Sequence, residues 1–145
     1  MKELIEKMKV LLSSHFSLYL KSHNFHWNVT GTDFAQLHEF FKTVYTELWA
    51  ATDLIAEHIR QLNSYAPGSL ERFQELSVIP GERNVKSASE MVSKLKSDNA
   101  KLSELLAEIY PMAEEAKEYG LSNFIQDRMA VHSKLSWMLT AILTK

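Results

Sequence analysis

The chain has 145 residues, 46% hydrophobic and 23% charged, with no cysteine and a formal net charge of −2. That length and apolar content suit one domain with a buried core. The missing cysteines exclude disulfides, thiolate metal sites and cysteine nucleophiles, and the near-neutral balance gives no bulk attraction to nucleic acid. Four glycines and three prolines are too few for the turns of a sandwich or barrel, so few, long elements are expected. No apolar run approaches the roughly 18 residues of a membrane span. The charged start, Met1-Lys-Glu-Leu-Ile-Glu-Lys7, does not read as a signal peptide. Asn28-Val29-Thr30 fits a glycosylation sequon, which without a secretory signal reads as chance. A cytoplasmic protein with no membrane association is expected.

In chain order, Leu4, Met8, Leu11, Leu12, Phe16 and Tyr19 carry a helical period over about 3–27. Asp33 is placed to cap a second helix over about 34–62. There Phe34, Leu37, Phe41, Val44, Leu48, Ala51 and Ile55 alternate steps of three and four, a stripe suited to helix packing. A second stripe, His38, Lys42, Tyr45, Trp49, Asp53 and Ala56, lies roughly 110° further round. Two buriable faces imply two neighbours, the bundle core and either another helix of the chain or a partner chain. Residues 63–86 form a long connection in which Ser69 can cap a short helix through Leu76. Ser87-Ala-Ser-Glu90 reads as a capping box opening a third long helix toward Tyr119, with Met91, Leu95, Leu102, Leu106 and Ile109 inward. Pro111 is expected to kink or shorten it, and Gly120 to stop it. The last helix, about 122–144, presents Ile125, Met129, His132, Leu135, Met138 and Ile142. Short outer connections and a long middle one give an all-α, ferritin-like four-helix bundle with a short extra helix between the second and third long ones.

Six histidines and the carboxylates are the candidates for chemistry, so an oxygen/nitrogen metal site is the class to test. No glutamate stands three residues before any histidine, which removes the Glu-x-x-His design of within-chain di-iron bundles. His26 ends the first helix and His38 sits one turn into the second, while Asp53 and Glu57 share a face further along. His38 and Asp53 are 15 residues apart, about 22 Å of helix, against a metal–ligand bond of about 2 Å. One chain therefore cannot close all four groups on one ion. Two chains crossing antiparallel near Tyr45 could bring His38 of one to Asp53 of the other, giving an intersubunit site in an isologous dimer. The same residues also read as an ordinary solvated helix face, and Tyr45 and Trp49 also as intrachain core. His15, His23 and His132 read as core or surface histidines, and His58 as exposed.

His23-Asn-Phe-His-Trp-Asn-Val-Thr-Gly31, Phe34, Leu37-His38-Glu39, Phe41, Asp53-Leu-Ile-Ala-Glu57 and Arg60 together resemble the Dps family, the DNA-binding proteins from starved cells. Ala66-Pro-Gly-Ser69 and His132-Ser-Lys-Leu-Ser-Trp-Met-Leu139 extend the similarity to the last helix. The resemblance implies a mini-ferritin: ferritin-like subunits in a hollow shell of twelve, built from isologous dimers. It implies ferroxidase activity with hydrogen peroxide or oxygen, ferric iron storage, and protection of cell and DNA from oxidative damage. By position it makes His26 and His38 the iron ligands of one subunit, Asp53 and Glu57 those of its partner, and Trp27 a neighbour of the site that either intercepts stray oxidising equivalents or packs at the dimer. Two positions depart from the family. Lys42 stands where a carboxylate usually helps hold a second iron, and two unit charges at 4 Å interact by about 4 kcal/mol at an effective dielectric of 20. One well-filled metal position and slower oxidation are expected, or a Dps-fold shell with an impaired site that binds metal or serves a structural or DNA-associated role. Asn123 replaces a pore aspartate, leaving Glu115, Glu118 or Asp127 to supply pore charge. With three Lys and two Glu in residues 1–12 and no basic tail, DNA binding is expected to be weak or absent.

Overall fold

The computed structural model describes residues 1–145 and contains five helices: α1 (Lys2–Asn28), α2 (Phe34–Gln61), α3 (Leu70–Leu76), α4 (Ala88–Glu115) and α5 (Tyr119–Leu143). Side-chain contacts fix their directions. Thr52 meets His15 and His38 meets His26, so α2 runs antiparallel to α1. Lys7 pairs with Glu108 and Lys21 with Asp98, so α4 also runs antiparallel to α1 and therefore parallel to α2. Asn99 meets His132 and Tyr110 meets Gln126, which sets α5 antiparallel to α4. This is the ferritin-like arrangement, with a long crossover between two antiparallel pairs. The crossover carries α3, which packs on α1. No helix is long and apolar enough to cross a membrane.

The core is one cluster in which Met8, Leu18, Phe25, Phe41, Leu48, Ile55, Met91, Leu102, Ile109 and Ile125 are buried. On α2 the buried row is Leu37, Phe41, Val44, Leu48, Ala51, Ile55 and Ile59. Phe34, expected to open that row, is instead 44% exposed, its ring lying on His38 at the start of α2. On α5 the buried row is Leu121, Ile125, Arg128, His132, Leu135 and Leu139. The expected row was slightly out of phase: Met129 and Met138 are half-buried and Ile142 is exposed.

Several boundaries follow from local chemistry. The backbone N–H of Glu90 donates to Ser87 Oγ, and that of Ser87 donates to Glu90, completing the capping box. Ser69 caps α3 by accepting from the Arg72 N–H. Asp33 occupies the N-cap of α2, but its side chain makes no capping bond. Pro111 lies inside α4 without ending it. The carbonyl it leaves without a helical N–H belongs to Ala107, which is exposed, so water can take its place. The expected continuation of α4 to Tyr119, with Gly120 as its stop, does not occur. Lys117 adopts the left-handed conformation at φ 59. Its N–H bonds Glu114 O and that of Glu118 bonds Ala113 O, closing the helix in the manner usual for glycine. Gly120 then falls within the first turn of α5.

Candidate metal centre

The corner between α1 and α2 brings His26 and His38 together. Their rings stack at 3.8 Å with 16° between planes. His26 Nδ1 lies 2.6 Å from the His38 carbonyl oxygen, and His38 Nδ1 lies 2.7 Å from the His26 carbonyl oxygen. A carbonyl only accepts, so each Nδ1 carries a hydrogen and Nε2 is the nitrogen left to each ring for ligation. The bond from His38 also engages a carbonyl in the last turn of α1, a position that the helix itself leaves without a partner. Two imidazoles are thus oriented by backbone with their ligating nitrogens free, the arrangement that holds a metal-binding histidine.

Around this pair lies an aromatic surface. Phe34 flanks His38 at 5.0 Å and Tyr45 flanks His26 at 5.1 Å. His23 is sandwiched between Trp27 at 4.0 Å and Tyr45 at 3.9 Å, and its Nδ1 is 2.9 Å from the Tyr19 hydroxyl. Its pKa is lowered by desolvation and by His26. Tyr19 continues the row to Trp49 at 5.0 Å. Trp27 of α1 and Trp49 of α2 are each 59% exposed, whereas Tyr45 is half-buried against His23 and Ala56 packs on the core, so the chain covers only part of the second stripe of α2.

Asp53 and Glu57 stand one turn apart on exposed positions of α2, and Lys42 is exposed near the histidines. None of the three forms an ion pair within the chain. No three His, Asp or Glu side chains of one chain come close enough to hold an ion. The structure therefore brings His26 and His38 together and leaves Asp53 and Glu57 apart from them.

The remaining histidines divide three ways. His15 and His132 are buried in the bundle, within the core-or-surface reading. His58 is half-buried rather than exposed: its ring lies 4.6 Å from Phe124 of α5, and burial lowers its pKa. Arg128 was missed altogether. It is 5% exposed and contacts both His15 and His132. Its spacing of four from His132 was the available signal, which a single charged residue on a helix does not make distinctive.

Comparison with known proteins identifies the fold. Residues 5–145 match the ferritin-like domain family. The chain is 35% identical over 126 residues to the DNA protection during starvation protein of Brevibacillus brevis, covering 87% of this chain and 85% of that one. A crystal structure of a Dps protein from Bacillus brevis superposes with TM-score 0.95 at 31% identity, covering 99% of this chain and 96% of that one. The Vibrio cholerae O1 Dps protein, described as a member of a broad superfamily of ferritin-like diiron-carboxylate proteins, superposes with TM-score 0.95 at 26% identity, covering 99% and 90%. Sequence and fold agree, and the chain belongs to the Dps family of ferritin-like proteins.

Proposed function

We propose that the protein binds and oxidises Fe²⁺ at sites shared between two chains and stores the ferric product inside a shell of twelve. In each site His26 and His38 come from one chain, and Asp53 and Glu57 from the partner. The observation that carries this reading is the imidazole pair, oriented by reciprocal bonds to backbone carbonyls and left with both Nε2 atoms free. Imidazole and carboxylate together suit iron, and the harder carboxylate oxygens favour the ferric product. Asp53 and Glu57 have no cation within their own chain, which leaves them available to a metal across an interface. The exposed Trp27 and Trp49, with the half-buried Tyr45 beside them, supply apolar area that such an interface buries.

In the reaction, two Fe²⁺ deliver two electrons to one peroxide, which takes up two protons and leaves as two waters. The histidine pair and the carboxylate pair hold the substrate ion, while the aromatic surface limits water at the site. Trp27, packed on His23 beside His26, is placed to take up a stray oxidising equivalent. Lys42 puts an ammonium where a second ion would sit, so one metal position per site is well filled. Consumption of Fe²⁺ and peroxide, rather than coating of DNA, is then the route to protection, in keeping with the net charge of −2.

The test mixes the metal-free protein with Fe²⁺ under nitrogen, adds hydrogen peroxide and follows ferric absorbance against a protein-free control. Oxidation faster than the protein-free control at two Fe²⁺ per peroxide, with iron staying in solution, is expected. Kinetics that match the control would refute ferroxidase activity and leave a metal-binding shell.

A further inference from the structure

The centre of the bundle holds a second set of converging groups, which the proposed iron chemistry does not use. Arg128 Nη2 lies 3.0 Å from His15 Nε2 on α1, 3.2 Å from His132 Nε2 one turn along α5, and 2.8 Å from Glu47 Oε1 on α2. Arg128 Nη1 donates to the other Glu47 oxygen at 2.6 Å. A guanidinium Nη carries two hydrogens, so three acceptors face two protons at one atom. Meanwhile the buried Nε–H of the same side chain has no acceptor. Acceptors crowd one point, and the arginine satisfies them imperfectly.

The two imidazoles are held as metal ligands are held. The Thr52 hydroxyl donates to the Leu48 carbonyl and so accepts from His15 Nδ1 at 3.0 Å. Asn99 donates its amide to the His132 carbonyl at 2.9 Å, and its Oδ1 accepts from His132 Nδ1 at 2.6 Å. Both ring protons therefore sit on Nδ1, and both Nε2 lone pairs point at Arg128. Burial, and then the guanidinium, hold both rings neutral. Fixed Nδ1–H groups behind two outward Nε2 atoms are the supporting pattern of ligating histidines. Two imidazoles and a carboxylate form a donor set for a divalent transition metal with open positions.

We propose that the bundle centre is a divalent-metal site in which the guanidinium of Arg128 stands as the cation, closing the core to metal. As folded, no three His, Asp or Glu side chains stand close enough to hold an ion, and the guanidinium occupies the point on which His15, His132 and Glu47 converge. Without it, His15, His132 and Glu47 take one Zn²⁺, Co²⁺ or Fe²⁺ inside a single chain. A cleft of about 250 Å³ between α2 and α5, lined by Val44, Glu47, His132, Leu135 and Met138 among others, gives the ion an entry path.

The test titrates the full-length Arg128→Ala protein and wild type with Co²⁺, reading bound ions per chain and the visible absorption of histidine-bound Co²⁺. One more ion per chain than wild type is expected, and it disappears in Arg128→Ala/His132→Ala. Adding Asn99→Ala to Arg128→Ala weakens that ion by about 10–100-fold. A folded Arg128→Ala that binds no more Co²⁺ than wild type overturns the proposal. Should Arg128→Ala be unfolded without metal, it is refolded with and without Zn²⁺. Recovery that needs both Zn²⁺ and His132 supports the proposal, and failure to recover overturns it.

Discussion

At the corner of α1 and α2, two backbone carbonyls decide which nitrogen each imidazole offers. The site is therefore oriented before any ion arrives, and its weak point is charge rather than geometry. Lys42 is exposed and has no carboxylate partner in its own chain. Lys42→Glu should add a second metal equivalent per site and speed oxidation, since about 1.4 kcal/mol gained in binding is tenfold in affinity. Isothermal titration with Fe²⁺ under nitrogen checks the stoichiometry, and two equivalents already present in wild type would contradict this account of Lys42.

The buried histidines make a separate prediction about acid. Both His15 and His132 are lowered from the ordinary 6.5, chiefly by burial and then by Arg128, and His132 falls to about 3. Below pH 6.5 the unfolded chain binds protons that the folded chain refuses. Stability is then fully present above 6.5 and falls as pH falls toward 3, by up to about 1.4 kcal/mol per pH unit for each histidine. Urea unfolding of His132→Gln at pH 7 and pH 5 should show a smaller loss between the two than wild type shows. An equal loss would mean that other groups carry the acid sensitivity.

At the scale of elements, the helix starts divide by whether a side chain caps them. Ser87 accepts from the Glu90 N–H, whereas Asp33 caps nothing with its side chain. Ser87→Ala should cost about 1 kcal/mol, and Asp33→Ala close to nothing, as thermal unfolding will show. The Ser87 start was legible because capping is local. So were the apolar rows of α2 and α4, where regular three-and-four steps leave one consistent face. The end of α4 was not legible: a lysine took the left-handed turn that glycine usually supplies, and the glycine went into the next helix. Arg128 was hidden for a different reason. Its burial depends on His15 and Glu47, distant in sequence and on two other helices, so no local pattern announces it. Likewise His58 is half-covered by Phe124, a residue of α5 that its own helix cannot reveal.

For the whole molecule, the helix order and the crossover were readable from loop lengths alone, and the directions follow from contacts such as Lys21–Asp98. The His26–His38 pairing was readable only as two nearby histidines at a turn; the reciprocal carbonyl bonds needed coordinates. The exposed aromatic surface is the feature that one chain leaves unfinished. Trp49→Glu places a charge in that surface and should leave single chains in solution, measured by light scattering. A particle of unchanged size would place the interface elsewhere.

The central claim is that one site draws on two chains, and a mixing experiment tests it directly. One variant lacks His26 and His38, and the other lacks Asp53 and Glu57; each alone should be inactive with Fe²⁺ and peroxide. In a mixed isologous dimer one of the two sites regains all four ligands, so random co-assembly should restore about a quarter of wild-type sites. Co-assembled particles no more active than the two variants measured separately would contradict a site shared between chains.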